Sequence, residues 1–503
     1  MECPHQNPKS KYHHVWISLT HSSFVIGLVS LLWFALRTGT KPSRAAYPCQ
    51  QAAAASGYAW LAAYVIPFLP FAKVIKTKRL SRPMVWMSVV LLLFVGGGWL
   101  TTNMEWGTSG TRSANQAIAL TLPPGTSTSE IASNIFVVQN APLETGGIPN
   151  LIETMAANGL SFYKSELEAE AASPDGLIAS DDIVLLKINC QWANRGGTNT
   201  DLLKALIQAI IDHPDGFRGE IVVADNGQLQ YGSANNGGRF TWSQNNAEDR
   251  TQSVQNVVDA FAETHAVSTY LWDNITRTEV SEYDTGDITD GYIVEQPMDP
   301  RSESFVAYPK FQTSFGTYVS FKNGIWDPTQ AAYDSDRLVL INVPVLKPHG
   351  IYGVTGCIKH YMGVTSDSLT RQLGARAHNT IMAGGMGTLI SGSRLPDLNI
   401  MDALWVSLEP GKGPSVGYDQ ATCLQVIAAS TDPVALDYWA SKYILMQGAE
   451  QAGNSSRSFN PKMTGIFPRA FSKYLDSSKK ILQEDGFQVT TDEDAMNVHI
   501  KIL

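Results

Sequence analysis

Residues 182–224 read DIVLLKINCQWANRGGTNTDLLKALIQAIIDHPDGFRGEIVVA, and their spacing decides the fold. Asp182 to Ile188 is a short, nearly continuous apolar run, the pattern of a strand buried on both faces. From Asp201 to His213 the apolar residues Leu202, Leu203, Leu206, Ile207, Ile210 and Ile211 recur at three and four, which predicts an amphipathic helix capped by Thr200 or Asp201 and ended at Asp215-Gly216. Glu220 to Ala224 is a second apolar strand. Strand, helix and strand in this order make a βαβ unit, whose crossover places the two strands parallel. The expected fold class is α/β: a mostly parallel sheet with helices on both faces, preceded by an N-terminal transmembrane helical region.

The same reading continues at residues 337–364, RLVLINVPVLKPHGIYGVTGCIKHYMGV. Arg337 to Asn342 is a buried strand by the same criterion. Polar chemistry begins where it ends: Lys347 and His349 flank Pro348, and Gly350, Gly353 and Gly356 permit turns or a close approach by a ligand. A helix starting near Thr355, with Ile358, Tyr361 and Met362 on its apolar face, would point its first N–H groups over the strand end, where open α/β sheets bind ligands.

Charge is distributed unevenly over the 503 residues. Residues 1–103 hold ten Lys and Arg against one acidic side chain, leaving 27 basic against 45 acidic residues beyond them. A body this acidic repels a phosphate backbone, so nucleic acid is not an expected partner. The five cysteines, Cys3, Cys49, Cys190, Cys357 and Cys423, form no C-x-x-C pair, so there is no built-in iron–sulfur or c-type haem motif. Val15 to Leu36 is long enough to cross a bilayer, Tyr58 to Ala72 is a shorter apolar segment broken by Pro67 and Pro70, and Pro83 to Leu100 is a third. Lys73, Lys76, Lys78, Arg79 and Arg82 place the second connection inside, which puts everything after about residue 102 outside. The expectation is a multi-pass cell-membrane protein with the lipid bilayer as partner: residues 1–102 form the membrane region, 103–133 a linker, and 134–503 an extracytoplasmic α/β domain of one or two lobes.

Along that body, IFVVQN from Ile135 reads as a strand and Ile148 to Leu160 as a helix. Residues 226–250, polar and rich in Gly and Asn, are a loop long enough to cover a site. Ser253 to His265 is helical, 276–312 acidic and irregular, and Thr317 to Phe321 a strand. Leu398 to Trp405 precedes a turn-rich loop, Cys423 to Ser430 is a strand, and Asp432-Pro433 starts a helix with Asp as cap and Pro at the first position.

LLKINCQW with TNTDLLKALIQAI, EIVVADNGQ, LINVPVLKPHGIYGVTGCIKHYMGV, LNIMDALW followed by EPGKGPSVG, and ASTDPVALD occur in this order over roughly residues 135–445. In these blocks the body resembles the uncharacterised Domain of Unknown Function 362 family. The resemblance implies a shared α/β fold and clustered polar residues, and no settled reaction. Some relatives resemble fusions to ferredoxin-type modules, from which this chain departs by lacking clustered cysteines.

If the strands are parallel neighbours, Lys187, Asn189 and Cys190, then Asp225 and Asn226, then Lys347 and His349 converge on one crevice. Lys187, Asn189, Asp225, Asn226, Lys347 and Lys359 are candidate ligand-binding residues; a cation ending an apolar strand is costly unless it is paired or faces a ligand. Gly353-x-x-Gly356-x-x-Lys359 is compatible with an anion cradle but is not a nucleotide-binding loop. His349, Cys357 and His360, with Cys190, form a candidate set for a divalent metal, Cys357 and His360 sharing a helix face at i and i+3. Cys190 could instead pair with Cys357 in a disulfide. Two functions follow: a crevice that binds an anionic small molecule or a metal, open to enzymatic use, or a non-catalytic cell-envelope protein acting through partner binding.

Overall fold

The computed structural model describes residues 30–34, 54, 57, 60, 118–127, 132–228, 237–372, 377–463 and 471–503. The chain divides into two compact units, Met1–Arg112 and Ser113–Leu503, and the account below concerns the second. The three expected membrane spans lie outside the described residues, save for 30–34 in the first and residue 60 in the second. Among the described residues no helix is long and apolar enough to cross a membrane.

In chain order the strands are β1 (Ser133–Gln139), β2 (Tyr163–Lys164), β3 (Ala172–Ser173), β4 (Ile183–Lys187), β5 (Glu220–Asp225), β6 (Val267–Leu271), β7 (Gly291–Val294), β8 (Ala307–Gln312), β9 (Tyr318–Ser320), β10 (Gly324–Asp327), β11 (Ala332–Asp334), β12 (Leu338–Asn342), β13 (Lys347–His349), β14 (Gly353–Thr355), β15 (Leu398–Val406), β16 (Thr422–Ser430) and β17 (Met496–Ile502). Eight build the main sheet in the order β17-β1-β16-β15-β12-β4-β5-β6. From β15 to β6 every neighbouring pair is parallel, as are β17 and β1, while β16 runs against both its neighbours. The sheet is thus mostly parallel.

Alternate strand residues feed two cores. Val184, Leu186, Val223, Val339 and Ile341 pack against α1 (Ile148–Ala157), α2 (Thr200–Ile211) and α3 (Val254–Ala262). Leu185, Val222, Leu338 and Leu340 join the opposite core, which holds the four-residue helix α4 (Cys357–His360), α5 (Gly385–Gly392), α6 (Pro433–Ala440) and α7 (Phe471–Glu484). Helices cover both faces, and the central strands need apolar side chains in both directions.

Several local readings change. The cap of α2 is Asn199, whose Oδ1 accepts from the amides of Asp201 and Leu202 at 2.9 and 3.1 Å. Asp201 sits in the first turn and accepts from the Glu248 amide and the Gln252 side chain, tying down the long loop. The stretch 276–312, read as irregular, contains β7 and β8; with β9, β10 and β11 they form a five-stranded antiparallel sheet. Its strands are short, and their apolar residues Tyr292, Tyr308, Phe311, Val319 and Ile325 pack into the second core while the acidic residues lie between them in sequence. Part of the expected linker is also packed. Leu120 and Leu122 are buried, Gly125 pairs with Val498, and Gln447 holds both the N–H and the carbonyl of Thr121.

Candidate functional site

Chain order and sheet order diverge between β4 and β12. The chain runs through β4, β5 and β6 to one edge, then returns to lay β12 on the other side of β4 with β15 beyond it. Connections therefore leave that point in opposite directions, and the carboxyl ends of such strands border a crevice. Register sets Lys187 beside Asn342 on one side and Ala224 on the other, with Asp225 next along β5.

Three lysines gather at this place. Lys187 Nζ lies 2.9 Å from Asp225 Oδ1 and donates to the Ile188 carbonyl at 3.1 Å. The second carboxylate oxygen of Asp225 accepts from the Cys190 amide at 2.7 Å. Lys347, at the start of the β13–β14 hairpin, donates to the Gly196 carbonyl. Lys359 on α4 has its Nζ 5.2 Å from the centre of the Tyr352 ring. The residues are enclosed: exposure is 1% for Lys187 and Lys347, 7% for Lys359 and 3% for His360.

Burial without matching negative charge weakens each ammonium. Desolvation first, and Lys359 next, push Lys347 down to about 7, against partial support from Asp225 and Asp402. Desolvation and Lys187 push Lys359 down to about 8. Lys187 is lowered by its burial and held up by Asp225. In a low-dielectric site three lysines are costly unless something negative joins them.

His360 stands among the lysines, its Nδ1 2.7 Å from Asn342 Oδ1. Asn342 Nδ2 donates to Asn399 Oδ1 at 2.9 Å, and Asn399 Nδ2 donates to the Ser430 carbonyl at 3.2 Å. His349 is turned inward on its own hairpin, Nδ1 accepting from the amides of Ile351 and Tyr352. Desolvation and nearby lysines hold both imidazoles well below their ordinary range.

The amide cradle expected at the start of the helix is already filled by the chain. Asp437 on α6 takes the Cys357 amide at 2.5 Å and the Ile358 amide at 3.0 Å. A Cβ on Gly356 would come within 2.2 Å of that carboxylate, so this glycine makes room for Asp437 rather than for a ligand. Burial raises Asp437 to about 7 even against those amides. The first N–H groups of this helix are thus engaged by the chain itself.

The metal set expected from His349, Cys357, His360 and Cys190 is not assembled. Among the described residues no group of three or more His, Cys, Asp or Glu side chains is arranged to hold a metal ion. Cys357 lies against Asp437, His360 is engaged by Asn342, and Cys190 lies near Asp225 and Asp273. Cys190 and Cys357 are both free thiols, which removes the disulfide between them.

Two other expected binders have structural work. Asn226 Nδ2 donates to the Tyr292 hydroxyl at 2.7 Å and the Thr365 carbonyl at 3.2 Å, while its Oδ1 accepts from the Gln228 amide, tying the crevice to the second sheet. Asn189 uses its backbone to hold Thr198, and its buried Oδ1 has no hydrogen-bond partner among the described residues. Gly363 closes over the ion pair so tightly that a Cβ there would lie 2.2 Å from Asp225 Oδ1 and 2.5 Å from Lys187 Nζ.

Asn342 and Asn399 went unnoticed in sequence because each sits in an apolar run and reads as a strand end. The signal was present: a buried Asn at the end of a central strand needs partners for its amide. Arg195 was missed as well. Its guanidinium lies 3.9 Å over the Trp405 ring and its Nη1 bonds Asn246, bracing the loop whose Gly196 carbonyl receives Lys347.

A family model described as a domain of unknown function (DUF362) matches residues 287–442. That match supports the resemblance over the stretch from β7 to α6, which includes Lys347, Lys359, His360 and Asp437; Lys187 and Asp225 lie before it. No curated protein and no solved structure matches the chain.

Proposed function

We propose that the crevice at the ends of β4 and β12 binds a small oxyanion, a phosphate or a carboxylate, through Lys187, Lys347 and Lys359. One observation carries this reading: three buried lysines share a site in which, among the described residues, one carboxylate, Asp225, makes ion-pair contact with one of them. Lys359 and Lys187 each act on Lys347 and disfavour its charge, and Lys187 does the same to Lys359, so an anion among them relieves a standing cost. Ammonium groups also supply charge-assisted hydrogen bonds to such a ligand.

The charge pattern of residues 1–103 supports the companion proposal that this domain is carried on a multi-pass membrane anchor and lies outside the cytoplasm.

Thermal denaturation with phosphate, sulfate and short carboxylates tests the binding reading, because a ligand specific to the folded state raises its melting point by mass action. Stabilisation that saturates and is lost in Lys359→Met supports it. An unchanged melting point with all of these anions would count against it, and Lys359 would then be half of a purely structural arrangement.

A further inference from the structure

We infer that His360 is a proton acceptor in this site, held neutral with its proton on Nδ1 and a bare Nε2 in the midst of the three lysines that would hold the anion. The direction of the hydrogen-bond chain fixes the tautomer. A main-chain carbonyl can only accept, so at Ser430 the Asn399 side chain must present its Nδ2. That leaves Asn399 Oδ1 facing Asn342 Nδ2, which donates to it, and also toward the Cys357 carbonyl. Asn342 Oδ1 then faces the ring at 2.7 Å, and His360 Nδ1 must donate.

Neutral imidazole carries one proton, so Nε2 is a lone pair. Nε2 is buried and has no hydrogen-bond partner among the described residues. The Ile188 carbonyl lies near the ring and favours a proton there, and its two lone pairs could serve both the ring and Lys187, which donates to it at 3.1 Å; the Asn399–Asn342 chain, by claiming the single proton of the neutral ring for Nδ1, is what leaves Nε2 bare. The groups that act on the ring from other elements are Lys187 on β4, Lys347 on β13 and, on its own helix, Lys359; all oppose a second positive charge. With an oxyanion bound, its charge offsets the lysines' opposition to a positive ring, and the neutral imidazole can then take a proton. A ligand X–H bond breaks, its proton passes to Nε2, and the electron pair stays on the ligand, where the lysines offset the new charge. The ligand class is a small oxyanion that carries a hydroxyl or carbon-bound proton to be removed. Asn342 and Asn399 are positioning residues that act through the imidazole.

This inference rests on the anion-site reading, yet its test needs no ligand. Two-bond nitrogen–proton correlation spectra of the full chain labelled with nitrogen-15 histidine, at pH 7, distinguish the two neutral tautomers from the cation, and His360→Gln assigns the signal. The expected result is a protonated Nδ1 and a bare Nε2. An Nε2–H tautomer or an imidazolium at that pH overturns the proposal. Asn399→Ala does not touch the ring but leaves the Asn342 amide only its long 3.4 Å contact with the Cys357 carbonyl, and it should yield a mixture of tautomers; an unaltered spectrum would refute Asn399 as the anchor of the chain. Should that variant fail to fold, the spectrum of the unmodified protein still decides the tautomer. A bare Nε2 in a protein that binds no anion would overturn the binding reading and leave the imidazole's state intact.

Discussion

Lys187 and Asp225 pair at 2.9 Å as the last residues of two adjacent parallel strands, and both side chains are buried. The pair is not symmetric. Asp225 also receives the Cys190 amide and acts on Lys347, so it is the negative centre of the crevice. Lys187 is one of three cations.

Removing the two partners should therefore have unequal effects. Asp225→Ala leaves Lys187 without its ion-pair partner and should cost about 3–5 kcal/mol, the range for breaking a buried pair. Lys187→Met should cost clearly less, since Asp225 retains an amide and two neighbouring lysines. Urea denaturation of both variants decides it; equal losses would mean that the lysines do not repel one another in the folded protein.

Stability should depend on pH in a direction set by the lysines. The folded-state values of Lys347 and Lys359, about 7 and about 8, lie below the unfolded value near 10.5. Between these limits the unfolded chain binds more protons, so unfolding free energy rises with pH. The cost of charging the site is fully present below pH 7 and is relieved as pH climbs through 8 toward 10. Urea denaturation without added anion should show greater stability at pH 9 than at pH 7.5, and saturating phosphate should flatten that slope. A fall in stability over this window would contradict the assignment. The raised carboxyls Asp402, Asp432 and Asp437, at about 6, 6 and 7, act in the opposite sense and at lower pH.

The helix face of α2 offers a control away from the site. Leu206 is fully buried and Lys204 is exposed. Leu206→Ala should cost about 2–5 kcal/mol, the range for deleting a buried leucine, while Lys204→Ala should change the denaturation midpoint little. Comparable losses would show that the packed face is wrong.

Much of this architecture was legible because periodicity reports burial. The runs at Ile183, Glu220 and Leu338 and the three-and-four spacing from Leu202 to Ile211 each became an element where expected. Lys187 and Lys347 stood out as cations beside apolar strands, and the sheet brings them together. Of the antiparallel sheet, β9 was read at Thr317 to Phe321, while its other four strands were hidden because runs of three to six residues with acidic turns carry little periodicity. Asp437 shows a second limit. Nothing local reveals that a carboxylate in α6 reaches the amides of Cys357 and Ile358, 80 and 79 positions away, so Gly356 looked like part of a ligand cradle.

The membrane topology proposed for residues 1–102 is tested independently of the site. A reporter fused after residue 110 should behave as extracytoplasmic and one fused at residue 80 as cytoplasmic, since five cations lie between Lys73 and Arg82. The reverse pattern would invert the orientation and place the crevice in the cytoplasm.

The central claim is that Lys187, Lys347 and Lys359 hold an oxyanion, and a crystal grown with selenate tests it most directly, because selenium locates a tetrahedral oxyanion by its anomalous scattering. The account predicts an anomalous peak enclosed by the ends of β4 and β12, with selenate oxygens about 2.7–2.9 Å from at least two of the three Nζ atoms. Full occupancy at surface positions with no peak among these lysines would contradict it.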